Sequence, residues 1–163
     1  MMISKQLTDA IVAQIGREFG AHFQYLSIGA YFEALALNGM AKFFYKQAQE
    51  EHDHAMKFFK YVMDAGGEMK LPAIEAPKSS FKTAEEAVGL ALAWEQDVTR
   101  QIFGLKDIAV AEKDYIAQQF LDWFTNEQLE EVSTMDRMLR VVKMAGQSNL
   151  FMLEAYISHG GGE

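Results

Sequence analysis

Two side chains that bind metal ions well, Glu51 and His54, stand three positions apart near the first third of the chain. In a helix, residues three apart lie on one face in adjacent turns, so this carboxylate and imidazole can reach the same ion. The pair alone is a weak signal, because Glu-x-x-His recurs by chance in helices. It indicates a metal site only where other segments bring further ligands to the same place.

Ligand-type side chains also interrupt the apolar stripes of three other predicted helices. Steps of seven residues keep a side chain on nearly the same helix face, and on these steps hydrophobic residues flank single polar positions near each helix middle. The polar positions are Glu18, Glu51, Glu95 and Gln128, with His54 and Glu131 beside two of them. We therefore expect four helices to point polar groups at one level of a shared core.

Carboxylates at that level need a counter-charge. An unpaired carboxylate in an apolar interior is strongly unfavourable, so buried acids pair with cations, become protonated or bind metal. Arg17, Lys57 and Arg100 are close in sequence, but the rotation of about 100° per residue turns them away from the core. Bound metal is the expected counter-charge, and mixed carboxylate and imidazole ligands suit iron, manganese or zinc. The alternative is a protonated or hydrogen-bonded core.

Apolar periodicity and the scarcity of helix breakers predict the elements that carry these residues. Long helices are predicted over about residues 8–37, 40–65, 84–112 and 114–145, and a short fifth helix over about 148–158. Asn38 and Gly39 are expected to interrupt the helical pattern between the first two helices, and residues 66–67 are expected to end the second helix. Thr83 with Glu86 has the pattern of a capping box, and Asp114 can cap the fourth helix.

Connection lengths predict the arrangement of these helices. Short connections make antiparallel hairpins of the first two and of the last two long helices. Residues 66–83, which contain both prolines, are too many for a turn. Fully extended they span up to about 59 Å, whereas a helix of about 28 residues is roughly 42 Å long. The predicted fold is an all-α four-helix bundle with one long crossover and a short fifth C-terminal helix.

Composition and charge exclude several classes of function. The 163 residues suit one domain covering 1–163. A net charge of −8 argues against binding nucleic acid, which needs clustered lysine and arginine. No apolar run is long enough to span a membrane, and the first residues lack the apolar stretch of a signal peptide. Without cysteine there are no disulfides, and we expect a cytoplasmic protein.

Four motifs along the chain form a specific combination: Glu18 with Tyr25, the run Gln49-Glu50-Glu51-His52-Asp53-His54-Ala55, Trp94-Glu95-Gln96, and residues 120–128 followed by Glu130-Glu131. Through these motifs, and over nearly its whole length, the chain resembles a non-haem ferritin of the bacterial or archaeal kind. The resemblance implies the ferritin-like bundle and a ferroxidase centre. The residues implied for one iron ion are Glu18, Glu51 and His54. Those implied for the second are Glu51 as a bridge and Glu95, with Gln128 nearby and Glu131 joining.

The resemblance also implies roles around this centre. A third iron site towards the inner surface is implied at Glu50, Glu127, Glu130 and Glu131. Tyr25 would lie beside the centre as a one-electron donor or a hydrogen-bond partner. Because amide oxygens bind iron poorly, Gln128 is either a direct ligand or a hydrogen-bond partner of a bound water. The implied activity is oxidation of Fe(II) by dioxygen or peroxide, with ferric mineral stored inside a hollow homo-oligomeric shell of 24 subunits.

Three departures from relatives limit what the resemblance implies. A haem-carrying relative is expected to have a histidine where this chain has Glu130 and Glu131, and a methionine where it has His52, which argues against haem. Gln118 and Leu121 stand where animal ferritins place channel acids, so no iron access route is predicted. His22 has no predicted role beyond the helix surface.

Two other functions are compatible with a helical bundle of this kind. A rubrerythrin-like peroxidase shares the fold but usually adds a cysteine-ligated iron module, and this chain has no cysteine. A purely structural bundle would need none of the ligand-type residues. The ligand set therefore favours the iron-oxidising, iron-storing function over both.

Overall fold

The computed structural model describes residues 2–160, and these form helices and their connections. The long helices are α1 (Lys5–Ala34), α2 (Asn38–Asp64), α3 (Ala84–Ala111) and α4 (Tyr115–Ala145). A 3₁₀ turn (Gln147–Asn149) and the short helix α5 (Phe151–Ser158) follow. Residue 1 and residues 161–163 of the predicted domain lie outside the described part. Within residues 2–160, no helix has the length and apolar character that crossing a membrane requires.

Two apolar clusters show in which direction each long helix runs. One cluster joins the C-terminal halves of α1 and α4 to the N-terminal halves of α2 and α3. The second joins the opposite halves of the same four helices. It follows that α2 and α3 are parallel to each other and antiparallel to α1 and α4. This is the predicted bundle, and residues 65–83 are the long crossover that it needs.

Side chains cap three of the long helices. Ser4, Thr83 and Asp114 accept hydrogen bonds from the backbone N–H groups of Leu7, Glu86 and Ala117, respectively. Such bonds satisfy N–H groups that the first turn of a helix leaves without a partner. The caps predicted at Thr83 and Asp114 are thus present. The Glu86 side chain departs from the predicted capping-box pattern, because its carboxylate accepts from the N–H of Lys82 at 2.6 Å.

The connection between α1 and α2 differs from the prediction. Asn38 and Gly39, which were expected to interrupt the helical pattern, are the first residues of α2. The non-helical connection falls at residues 35–37. Ala36 takes a left-handed backbone conformation there, with φ of 59°. Helix α2 can begin this early because the Glu154 carboxylate, far away in sequence, accepts hydrogen bonds from its first turn.

Small residues on α1 allow its neighbours to approach closely. A Cβ atom on Gly16 would lie 2.5 Å from Pro72 in the crossover, and one on Gly20 would lie 3.2 Å from the Trp94 ring. One turn further on, the Gln24 side chain accepts from Lys78 N at 2.9 Å and donates to Lys78 O at 3.0 Å. The crossover is thereby seated along α1.

A pair of glycine substitutions tests this close packing. An added methyl at Gly29 would overlap the Tyr45 ring, which is also held by a hydrogen bond to Glu33. Gly29→Ala is expected to lower the free energy of unfolding by about 1–3 kcal/mol. At Gly89 a Cβ meets nothing within 4 Å, so Gly89→Ala should raise that free energy by up to about 1 kcal/mol. Guanidinium denaturation of both variants measures this, and equal effects would contradict the packing described.

Candidate metal centre

A layer of six buried polar side chains separates the two apolar clusters. The four long helices all contribute to it, and each of the six residues is at most 4% exposed. The members of this polar layer are Glu18 from α1, Glu51 and His54 from α2, Glu95 from α3, and Gln128 and Glu131 from α4. The structure therefore brings together six residues that the sequence placed on apolar stripes of four different helices.

Ligand atoms of the polar layer converge on two adjoining positions. Those of Glu18, Glu51 and His54 lie within 4.8 Å of one another, and so do those of Glu51, Glu95 and Glu131. Glu51 belongs to both sets, and its Oε2 lies 3.5 Å from His54 Nδ1. Two three-ligand positions that share one carboxylate can hold two ions side by side, as in carboxylate-bridged two-metal sites.

Two carboxylate oxygens of the layer are available to a metal ion. Glu18 Oε2 and Glu51 Oε1 are buried without a hydrogen-bond partner, although buried polar atoms in proteins nearly always have one. The other oxygen of Glu18 accepts from the Gln14 amide at 2.8 Å. The Glu18 carboxylate is thus fixed through one oxygen and left open through the other. Oxygen donors of this kind together with an imidazole fit Fe(II).

Proton binding compensates the charge of the layer when no metal is bound. Burial raises the pKa of Glu51 well above its ordinary value, and the nearby Glu95 and Glu18 raise it further. Burial, with the charge of Glu95 as the next cause, raises the pKa of Glu131 to about 9. The pKa of Glu95 rises to about 7, because burial outweighs its hydrogen bonds from Tyr25 and Gln128. A metal ion entering the layer therefore competes with protons for the same oxygens.

Two side chains donate hydrogen bonds to Glu95. The Tyr25 hydroxyl is one donor. Burial, together with the charge of Glu95, keeps the pKa of this tyrosine well above its ordinary value. The Gln128 amide nitrogen is the other, 3.2 Å from Glu95 Oε2 and 3.2 Å from Thr99 Oγ1. Gln128 thus orients a carboxylate in this structure, and its role as a direct metal ligand stays a prediction.

Aromatic rings surround the imidazole of His54. Trp123 and Phe124 both present edge-to-face contacts, with ring centroids 5.5 Å and 6.0 Å from that of His54. The Lys57 ammonium lies over the Trp123 ring, 3.4 Å from its centroid. On its Nε2 side, His54 faces Glu127 Oε1 at 3.7 Å. These contacts restrict the rotation of the imidazole and hold it towards the acids.

Acids continue from the polar layer towards the surface of the bundle. His54, Glu127 and Glu131 form a further group with ligand atoms within 4.8 Å of one another. The Glu127 side chain is 25% exposed, and Glu130 is exposed at the surface. Burial raises the pKa of the half-buried Glu50, and the charges of Glu127 and Glu130 contribute to the rise. The acids implied for a third iron site thus lie close enough to influence one another.

The roles of some residues near the centre were not predicted from the sequence. Gln14 and Thr99 were missed, although each stands four positions from a glutamate of the layer, a spacing that permits contact on one helix face. His22 and His52 lie outside the layer. Their rings are 5.6 Å apart, and His22 Nδ1 is 2.6 Å from the carbonyl oxygen of Ala48. Gln118 bonds the Ala109 carbonyl, and Leu121 is part of an apolar cluster.

Comparison with known proteins agrees with this fold. A family model described as a ferritin-like domain matches residues 8–145. The chain is 41% identical over 145 residues to a ferritin BfrB of Mycolicibacterium smegmatis, covering 89% of this chain and 80% of that protein. It is 37% identical over 155 residues to a bacterial non-haem ferritin of Staphylococcus haemolyticus, covering 94% and 93% of the two chains.

Solved structures give the same result. The crystal structure of an open-pore ferritin from the archaeon Archaeoglobus fulgidus superposes with a TM-score of 0.91 at 33% identity, covering 96% of this chain and 97% of that one. A humanized archaeal ferritin also superposes with a TM-score of 0.91, at 32% identity and 96% coverage of both chains. The chain therefore belongs to the ferritin family, among the bacterial non-haem ferritins.

Proposed function

We propose that this chain is the subunit of an iron-storage ferritin that oxidises Fe(II) at the polar layer and stores the ferric product as mineral. The observation that carries the proposal is the sharing of Glu51 by two buried three-ligand positions, in a chain that belongs to the ferritin family. Iron is the substrate and the cargo of this reaction. The protein's part is to bind two Fe(II) ions side by side and to accept and release protons.

Each position of the polar layer has a proposed task. Glu18, Glu51 and His54 bind the first Fe(II), and Glu51, Glu95 and Glu131 bind the second, which makes Glu51 the bridge. Protons held by the acids leave as the ions arrive, because metal and proton compete for the same oxygens. Two ions oxidised together supply the two electrons that reduce dioxygen to peroxide, or peroxide to water.

Three side chains, one in the polar layer and two beside it, orient the ligands. Gln128 and Tyr25 donate to Glu95, and Gln14 donates to Glu18. Such neighbours fix the direction of a ligand before the metal arrives. Tyr25 is also placed to give one electron to the centre, since its hydroxyl is in hydrogen-bond contact with a proposed ligand. The acids Glu50, Glu127, Glu130 and Glu131 form the proposed third iron site on the way to the mineral.

Storage requires a closed container, and we propose a shell of 24 copies of this chain in the cytoplasm. The relatives are named as ferritins, and an archaeal structural relative is described as an open-pore ferritin. Closed symmetric assemblies of identical chains enclose space by repeating the same contacts. The proposal contains no haem, because Glu130, Glu131 and His52 occupy the positions where a haem-carrying relative is expected to have its characteristic histidine and methionine.

Loss of the bridging carboxylate is expected to abolish rapid oxidation. In Glu51→Gln, the neutral amide cannot bridge two cations, so the fast absorbance rise after aerobic addition of about two Fe(II) per chain should slow at least about 100-fold. His54→Ala should have the same effect. Glu51→Gln should keep its fold, because removal of a buried carboxylate stabilises the metal-free state. Glu68→Gln, at an exposed glutamate beside Lys70, is the control, and an unchanged fast phase in Glu51→Gln would refute the centre.

The pKa shifts predict the pH dependence of stability. Unfolded glutamates have an ordinary pKa near 4.5, whereas the pKa values of folded Glu95 and Glu131 are raised to about 7 and about 9. Between these limits the folded state holds protons that the unfolded state has released, so their contribution to stability is lost as pH rises. The metal-free protein should therefore lose thermal stability between about pH 5 and pH 9 relative to Glu131→Gln.

Calorimetry at pH 5, 7 and 9, in chelator and in excess Zn(II), measures this difference. Zinc should reverse the trend, since metal binds more tightly when fewer protons compete, and ligand binding stabilises the folded state. Parallel pH profiles for the wild-type protein and Glu131→Gln in chelator would show that this acid is not protonated in the folded state.

A separate substitution tests the third site. Glu130→Gln should reduce the number of Zn(II) ions bound by about one per chain, because an exposed carboxylate ligand is lost while the buried layer is unchanged. The amplitude of the fast oxidation phase should remain that of the wild-type protein. Isothermal titration and stopped-flow absorbance measure these two quantities. A full metal count in the variant would remove Glu130 from the proposed site.

A further inference from the structure

Two histidines outside the polar layer lie side by side on neighbouring helices. His22 belongs to α1 and His52 to α2, and their ring centroids are 5.6 Å apart with an angle of 62° between the ring planes. Neither residue belongs to the groups of ligand atoms that form the metal centre. The two rings are therefore a second cluster of metal-ligating side chains, and the proposed oxidation of iron does not use it.

The hydrogen bond of His22 fixes which of its ring nitrogens is free. Its Nδ1 lies 2.6 Å from the carbonyl oxygen of Ala48 on α2. A carbonyl oxygen can only accept, so Nδ1 carries the proton, and Nε2 of the neutral ring keeps the lone pair that a metal ion needs. Histidines that bind metal almost always donate their other ring N–H to such a carbonyl, to a carboxylate or to water.

His52 has a comparable arrangement. Its Nδ1 lies 3.4 Å from Asp53 Oδ1, and the same oxygen accepts from the Gln49 amide at 2.9 Å. A carboxylate beside Nδ1 favours the proton on that nitrogen and leaves Nε2 open. Phe19 packs edge-to-face on the ring, with centroids 5.8 Å apart. Within residues 2–160, neither the Nε2 atom of His22 nor that of His52 has a hydrogen-bond partner.

The separation and the exposure of the two rings suit a shared ion. Two imidazoles bound to one ion, at N-to-metal distances of about 2.0–2.1 Å, have centroids about 4.5 Å apart when the angle at the metal is about 90°, and about 6.4 Å apart when it is about 180°. The observed 5.6 Å lies between these values, so both rings can bind without a movement of the helices. The His52 side chain is 42% exposed, which lets an ion enter from water and lets water complete its coordination.

We propose that Nε2 of His22 and Nε2 of His52 bind one divalent ion that prefers imidazole ligands, with copper(II) bound most tightly, at a site separate from the iron centre. The iron centre combines several carboxylates with one imidazole, whereas this pair offers two imidazole nitrogens. The affinity of such ligands for divalent ions rises from Fe(II) to Cu(II). The pair therefore selects copper(II) over the Fe(II) that the centre receives.

Electron paramagnetic resonance of the full chain with one equivalent of Cu(II) counts the imidazole nitrogens bound to the ion. Two are expected in the wild-type protein and also in His54→Ala, which removes the one imidazole of the iron centre. His22→Ala and His52→Ala should each lose the two-imidazole signal, and calorimetric titration should show Cu(II) bound at least about tenfold more weakly. His159→Ala, at an exposed histidine near the end of the described chain, is the matched control and should retain both properties.

The outcomes separate this site from the proposed function. His22→Ala and His52→Ala should leave the fast Fe(II) oxidation unchanged, because neither histidine is a proposed iron ligand. Circular dichroism checks the helix content of each variant, and if His22→Ala does not fold, His52→Ala decides alone. Copper bound by a single imidazole in His54→Ala, or a two-imidazole signal that survives in His52→Ala, would overturn this site and leave the iron function standing. A wild-type protein that shows the two-imidazole signal but no rapid Fe(II) oxidation would overturn the proposed function and leave this site.

Discussion

The structure depends on one constraint, the burial of four carboxylates at the middle of an otherwise apolar bundle. Glu18, Glu51, Glu95 and Glu131 lie between two hydrophobic clusters that use opposite halves of the same four helices. The clusters provide stability on both sides of a layer that is unfavourable when ionised. The pKa values of three of these acids are raised, so that bound protons reduce the negative charge of the layer when no metal is bound. The carboxylate oxygens without a hydrogen-bond partner mark where an ion can bind.

Neighbouring side chains hold this layer in position before any ion enters. Gln14 on α1 fixes Glu18, and Tyr25 with Gln128 fixes Glu95 from two different helices. The imidazole of His54 is restricted by the rings of Trp123 and Phe124. A binding site whose ligands are supported in this way needs little rearrangement to accept metal. The same supports explain why the acids remain turned inward although water would solvate them better.

Much of this arrangement could be predicted from the sequence because helix geometry is periodic. Steps of seven residues located Glu18, Glu51 and Glu95 on core-facing stripes, and the length of residues 66–83 required a parallel pair of helices. The orientation of Gln128 could not be predicted, since the direction of an amide depends on the tertiary contacts of Glu95 and Thr99. The early start of α2 was missed for the same reason. Its cap, Glu154, is 115 positions away from Gly39 and leaves no local signal.

The central claim is that the layer binds two metal ions that share Glu51. The most direct measurement is anomalous X-ray diffraction from crystals of the assembled protein soaked in Zn(II) near pH 8, a redox-inactive substitute for Fe(II). The account predicts two anomalous peaks per chain, roughly 3.5–4 Å apart, with Glu51 oxygens in contact with both. Peaks confined to exposed acids, with none between Glu18, Glu51 and Glu95, would contradict it.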